Sequence, residues 1–287
     1  MGATFLERLE ERIAAGAAPA CVGIDPRPDR LPATVAPDAA PADRVVAFAR
    51  EVLPRIARHA PVVKPNVAFF EALGWEGYRA YEAVCRAATD AGLLVIGDVK
   101  RGDIGATAAA YARGHFALAD ALTVSPFLGD DAVEPFLDAC RTAGKGVFVL
   151  VRTSNPGGDR FQGLELARGG TVSGAVAQAV DRWGRDTSSP SGFSHVGAVV
   201  GATRPEELAV WRERMPRAVF LIPGVGAQGG RIDQLGPAFD GRGLGAIVNQ
   251  SRGVLQSFEP ADPDWLDRVD AAAAAFANEL RALEVRR

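Results

Sequence analysis

Leu93-Leu94-Val95-Ile96-Gly97-Asp98-Val99-Lys100-Arg101-Gly102-Asp103 passes from an apolar tetrad into a cluster of acids and bases. The apolar run reads as a buried strand and the charges as its end, where a loop begins. Side chains alternate across a strand, so Asp98 and Lys100 fall on one face and bring a carboxylate and an ammonium into whatever cavity that face lines. Asp103 lies further along, in the loop. Charges at such a strand end are costly unless paired, so a structural salt bridge is the competing explanation of the same residues.

Short β-rich runs alternate with helical patterns on either side of this stretch. A helix from about Thr4 to Ala15 opens the chain, and Cys21-Val22-Gly23-Ile24-Asp25 is the first strand. A proline-rich loop and a helix from about Ala42 to His59 lead to the second, Pro61-Val62-Val63-Lys64-Pro65-Asn66. A helix from about Gly77 to Ala91 precedes the charged stretch, and one from about Gly105 to Leu118 follows it. Further strands are predicted at Ala121 to Pro126, Gly146 to Val151, Val196 to Gly201, Val219 to Pro223 and Leu244 to Asn249, and a helix from about Pro263 to Leu283 closes the chain.

Eight nearly continuous apolar strands, each followed by room for a helix, predict an α/β fold with a parallel sheet covered on its faces, and eight strands close a barrel. An open doubly wound sheet is the alternative. Asp25, Lys64, the pair Asp98 and Lys100, and Ser154 fall at or just past the C-terminal ends of four different strands. In a closed barrel those ends converge on one mouth, whereas an open sheet spreads them along an edge. The expectation is a single (β/α)8 TIM barrel domain over residues 1–287 with one site at its mouth.

Composition narrows the function classes. The chain has 287 residues, 48% hydrophobic and 23% charged, with a net charge of -3, so nothing electrostatic points to nucleic acid or to an anionic membrane surface. Cys21, Cys85 and Cys140 are widely spaced with no C-x-x-C and read as thiols in a reducing compartment. Glu7, Glu10 and Glu11 interrupt any apolar core an export signal would need, and no run of about 18 apolar residues is free of charge. A cytoplasmic location is expected.

Pro223-Gly224-Val225-Gly226-Ala227-Gln228-Gly229-Gly230 contains a G-x-G-x-x-G string after the seventh strand rather than the first, so a dinucleotide fold is not indicated. Glycines there let backbone N–H groups approach an oxyanion, and barrels usually hold phosphate in the loops after strands seven and eight. Arg252, in Ser251-Arg252-Gly253, adds a guanidinium suited to bidentate phosphate contact. Tight turns and a surface ion pair are the plain alternatives.

Taken together, the D-x-K-x-x-D string, Asp25, Lys64, the Pro223 to Gly230 loop and Arg252 resemble the orotidine 5'-phosphate decarboxylase family, over about Cys21 to Leu255. Val63-Lys64-Pro65-Asn66 and Asn249-Gln250-Ser251-Arg252-Gly253 are similar to its bacterial type 2 branch. The resemblance implies cofactor-free decarboxylation of a nucleotide, orotidine 5'-phosphate, to UMP, with Lys64, Asp98, Lys100 and Asp103 as the charged array and no metal. It also implies a homodimer, Asp103 and Thr107 reaching the neighbouring subunit's site. Asp98 is expected against the substrate carboxylate and Lys100 against C6, as its stabiliser and proton donor. Asp25 is assigned to ribose hydroxyls, Ser154 to the pyrimidine, and Pro223, Gly226, Gln228 and Arg252 to the phosphate end.

Two rivals use the same residue types. A Schiff-base aldolase needs an unprotonated lysine, which acidic neighbours oppose. A related decarboxylase acting on a sugar acid phosphate uses a metal, but His59, His115 and His195 offer no close pair, and a lysine inside the acidic cluster opposes a cation. A catalytically silent phosphate-binding protein is the third alternative. Glycine-rich Asn155 to Gly170 is expected to be a lid over the phosphate, Phe69, Phe70 and Trp75 to be core or interface, and Trp183 to His195 to be a flexible surface excursion without a role.

Overall fold

The computed structural model describes residues 2–226 and 228–283. Eight parallel strands, hydrogen-bonded in chain order, close on themselves. They are β1 (Ala20–Ile24), β2 (Val62–Pro65), β3 (Leu94–Arg101), β4 (Ala121–Val124), β5 (Gly146–Arg152), β6 (Ser194–Val200), β7 (Ala218–Ile222) and β8 (Ala246–Gln250). β1 pairs with both β2 and β8, which makes the sheet a barrel rather than an open doubly wound sheet.

The helices are α1 (Phe5–Ala14), α2 (Pro41–Ile56), α3 (Val67–Glu71), α4 (Gly74–Asp90), α5 (Gly105–Phe116), α6 (Asp130–Ala143), α7 (Asp159–Gln162), α8 (Val172–Trp183), α9 (Leu208–Arg214), α10 (Arg252–Leu255) and α11 (Trp265–Arg281). None is long and apolar enough to cross a membrane among the described residues. The strands and long helices match the sequence pattern to within a few residues, with two differences. The short helix α3 follows β2 before α4 begins. Among the described residues between β7 and β8 there is no α-helix, only two 3-10 turns, Ile232–Gln234 and Gly236–Ala238, because that segment is too rich in glycine and proline to hold an apolar helical stripe.

Alternation sorts the strand residues into two layers. Val22, Val63, Val95, Leu122, Val147, Val149, Ala198, Phe220 and Val248 face outward and pack with the helices. Cys21, Val62, Leu94, Ile96, Ala121, Phe148, Val219 and Ile247 face inward, and they pack with Phe5, Leu6 and Leu9 of α1. The first helix therefore stoppers the N-terminal end of the barrel. Its position is set by a capping box, in which Thr4 N–H donates to Glu7 Oε2 (2.8 Å) and Glu7 N–H donates to Thr4 Oγ1 (3.3 Å), and by Phe5 meeting Phe148 edge-on at 6.2 Å.

The 183–195 stretch is not a free excursion. Ser189 and Ser191 hydroxyls donate to the Glu10 carboxylate of α1, Thr187 and Ser194 share a hydrogen bond of 3.0 Å, and Thr187 and Ser189 are buried. Its serines satisfy polar groups around the stopper, a role that composition alone does not reveal.

Leu6 is 1% exposed inside this apolar layer. Leu6→Ala is expected to lower stability by about 2–5 kcal/mol, read from the midpoint of denaturant unfolding; a loss under about 1 kcal/mol would mean that α1 does not pack into the barrel.

Candidate active site

Continuing the inward alternation to the C-terminal end of each strand gives the floor and wall of a cavity. Asp25, Lys64, Asp98, Thr123, Leu150, Val199, Leu221 and Asn249, one from each strand or its extension, line a space of about 750 Å³. Lys100, Ser154, Pro223, Gln228 and Arg252 line it as well, from strand ends and loops. One mouth thus collects most of the residues singled out in the sequence, and α1 closes the opposite end.

Asp98 is the centre of the charged array. Its Oδ2 accepts from Lys64 Nζ at 2.5 Å, and its Oδ1 accepts from Lys100 Nζ at 2.5 Å and from Thr123 Oγ1 at 3.0 Å. Asp98 and Lys64 side chains are 8% and 7% exposed, whereas Lys100 is 49% exposed, so the cluster has a dry side and a wet side. Burial opposes the charge on Asp98, but the two ammonium groups outweigh it and hold the carboxyl well below the usual carboxylate range. Burial likewise opposes the charge on Lys64, and Asp98 and Asp25 outweigh it, holding the ammonium above an ordinary lysine. Both groups are ionised throughout the neutral range.

Asp98 and Lys100 meet as expected, but not through plain alternation. Lys100 has φ of +46°, in the left-handed region. There the pairing slips: Gly97 faces Leu122, yet Arg101 faces Val124, so four steps of β3 run beside two of β4. A side chain in that conformation costs about 1–2 kcal/mol, and such strain persists where the surroundings over-determine it. Here the Lys100 N–H donates to Thr123 Oγ1 at 3.0 Å. Thr123 was not singled out in the sequence, where a threonine in a β-rich run reads as a strand former; its inward parity with Ala121 was the available signal.

Away from the charged array the cavity presents acceptors and a cation. Asp25 Oδ1 and Asn249 Oδ1 are buried without a protein hydrogen-bond partner. Arg252 stands exposed on the rim, and no ion pair accounts for it among the described residues. Gly224 has φ of +99°, and a Cβ there would meet Gln228 Oε1 at 3.0 Å and Ser154 Cβ at 3.1 Å, so the chain turns where two loops meet. Ser154 Oγ donates to Gln228 Oε1 at 2.6 Å, tying the β5 loop to the β7 loop. Gly226 does not line the cavity, and the N–H groups of Gly226, Gly229 and Gly230 donate to carbonyls within their own loop. Asn66, Phe69 and Gln256 do line it, so Phe69 departs from the expected core or interface packing; Phe70 is in the core and Trp75 is exposed.

Two predicted residues lie elsewhere. Asp103, whose Oδ1 accepts from Ile104 N–H at 2.8 Å, and exposed Thr107 at the start of α5 do not line the cavity of this chain. The expected lid is anchored at its base. Buried Arg152 is bound by Glu207 (Nε to Oε2, 2.9 Å) and Asp159 (2.5 Å), and Gln162 exchanges hydrogen bonds with Thr153. Beyond these ties Phe161, Leu164 and Leu166 are exposed.

The linked ionisations have a measurable consequence. The stabilisation from Asp98, a carboxyl held low, is complete above about pH 4 and is lost as pH falls through its folded-state value; that from Lys64, an ammonium held high, is complete below about pH 10. Asp98→Asn, which leaves Lys64 buried without its counter-charge, is expected to cost about 3–5 kcal/mol at neutral pH. The variant and wild-type unfolding curves should converge as pH is lowered. A pH-independent difference would mean that the loss is one of packing.

The Orotidine 5'-phosphate decarboxylase / HUMPS family model matches residues 19–262. The chain is 40% identical over 300 aligned positions to the protein named orotidine 5'-phosphate decarboxylase in Rhodopirellula baltica, covering 97% of this chain and 99% of that one. The solved structure of Leishmania donovani OMP decarboxylase superposes with a TM-score of 0.79 at 35% identity and 98% coverage of both chains. Leishmania donovani UMP synthase gives a TM-score of 0.81 at 36% identity; 98% of this chain is covered but only 57% of the synthase. The barrel, the charged array at its mouth and these similarities converge: the chain belongs to the Orotidine 5'-phosphate decarboxylase / HUMPS family.

Proposed function

We propose that this protein converts orotidine 5'-phosphate to UMP and carbon dioxide, a step of de novo pyrimidine biosynthesis, without metal or organic cofactor. The observation that carries this reading is Asp98, buried and ionised between Lys64 and Lys100 at one side of a mouth whose rim bears Arg252. The phosphate is held by Arg252 and the β7 loop at Pro223 and Gln228. The ribose hydroxyls donate to Asp25 Oδ1, which is an acceptor in want of a donor. Ser154 contacts the pyrimidine, whose carboxylate and C6 then face Asp98 and Lys100.

In that pose the substrate carboxylate approaches a carboxylate that does not take up a proton. Two such charges about 3.5 Å apart repel by about 5 kcal/mol at an effective dielectric of about 20, and the repulsion ends when carbon dioxide leaves. Breaking the C6–carboxylate bond leaves its electron pair on C6, and the Lys100 ammonium gains attraction as that charge grows. An N–H proton of Lys100 then passes to C6, completing UMP, and the half-exposed amine recovers a proton from water. Lys64, on the dry side, holds Asp98 ionised throughout.

No observation favours the rivals. Both oxygens of Asp98 are occupied by ammonium groups, which a metal would have to displace, and Lys64 is held in the protonated form that a Schiff-base nucleophile must leave. The reading places the enzyme in the cytoplasm, where its buried free thiols remain reduced. It also makes the enzyme a homodimer. Ile104, Tyr111, Phe127 and Leu128 expose apolar surface around Asp103 and Thr107, on and beside the packed helices α5 and α6, and a second copy would cover it.

Purified protein in excess chelator is expected to consume orotidine 5'-phosphate, followed by loss of its absorbance; folded protein without turnover would overturn the assignment. Lys100→Ala should lower kcat by at least about 100-fold while UMP affinity changes by less than about tenfold.

For the dimer, Lys100→Ala and Asp103→Ala subunits, each inactive alone, should regain roughly a quarter of wild-type activity on mixing. Half of randomly paired dimers are mixed, and each carries one intact site of two. Mixed dimers without recovered activity would show that Asp103 serves its own chain.

A further inference from the structure

We propose that Thr123 is a positioning residue for the proton donor, its hydroxyl setting the Lys100 backbone and the Asp98 carboxylate in one piece; the inference rests on the decarboxylase reading above. The Lys100 N–H lies where β3 and β4 lose register, so no ladder carbonyl is opposite it, and Thr123 Oγ1 accepts it at 3.0 Å. The same oxygen is 3.0 Å from Asp98 Oδ1. Asp98 is ionised and only accepts, so the single hydroxyl proton points at Asp98 and a lone pair points at Lys100 N–H. Both orientations are thereby determined.

Oδ1 is also the atom that receives Lys100 Nζ at 2.5 Å. The path Lys100 N–H, Thr123 Oγ1, Asp98 Oδ1, Lys100 Nζ is a closed ring: one side chain fixes where the donor's backbone starts and where its ammonium ends. Thr123 is 1% exposed, and its β-branched side chain has few rotamers to choose among, so the hydroxyl has little freedom to swing away. Valine fits the same space but orphans the Lys100 N–H and removes one donor from Oδ1. With the left-handed turn at Lys100 no longer held, the ammonium drifts from C6 while the phosphate and ribose contacts are untouched.

The test compares Thr123→Val and Thr123→Ser with wild type on orotidine 5'-phosphate, with UMP affinity measured separately by titration. Thr123→Val is expected to lose about 10- to 100-fold in kcat with UMP affinity within about threefold, the size of effect seen when a supporting hydrogen bond is removed from a catalytic group. Thr123→Ser, which keeps the hydroxyl, should return kcat to within about threefold of wild type. Equal kcat for Thr123→Val and wild type would overturn the inference, as would a serine variant as slow as the valine variant, or kcat and UMP affinity falling together. If Thr123→Val does not fold, Thr123→Ala is measured against Thr123→Ser by the same criteria. Wild type without turnover removes the decarboxylase reading itself and this inference with it, whereas an active wild type with an unaffected Thr123→Val removes the inference alone.

Discussion

An ionised carboxylate sits inside the barrel at Asp98, and most of the mouth is arranged around the cost of keeping it there. A lone carboxylate moved from water into such a site pays a desolvation penalty of several kcal/mol even after relaxation, and a single counter-ion rarely compensates it. Asp98 has two ammonium groups and a hydroxyl, arriving from β2, from the end of β3 itself and from β4. Because these donors come from three strands, the pair survives only if the strands hold their register. Local chemistry at one atom therefore depends on the closure of the whole sheet.

The two layers of the barrel explain why the array is at one end. Inward positions near the N-terminal rim, where α1 enters, are mostly apolar, and polar side chains gather toward the C-terminal ends of β2, β3, β4 and β8, namely Lys64, Asp98, Thr123 and Asn249. A polar group placed one layer lower would be surrounded by Leu94, Ile96 and Phe148 with no partner. The same parity puts Leu150, Val199 and Leu221 in the lining as well, giving the cavity an apolar side beside the ions.

Much of this was legible in the sequence, for physical reasons that also mark where legibility stops. The eight strands announce themselves because strands buried on both faces must be apolar throughout, and Lys64 and Asp98 stand out because charges ending such runs need a purpose. The left-handed turn at Lys100 was hidden, since it follows from a slip between β3 and β4 that no residue type in either strand signals. Thr123 was hidden by its ordinary role as a strand former, and Arg152 by lying within a strand while its partners Glu207 and Asp159 are distant in the chain or in a loop. Glycines after β7 fit an oxyanion cradle and tight turns alike, and whether their N–H groups face a ligand or their own carbonyls depends on loop geometry rather than on composition.

The stopper formed by α1 has an effect on traffic. With Phe5, Leu6 and Leu9 filling the N-terminal end, the cavity among the described residues opens on the side of the strand C-termini. If the enzyme acts as proposed, a vessel open on that side would impose an order on departures: a small neutral gas released at the floor would have to pass the nucleotide moored at the rim, so the two products would share an exit and the smaller one would leave around the larger.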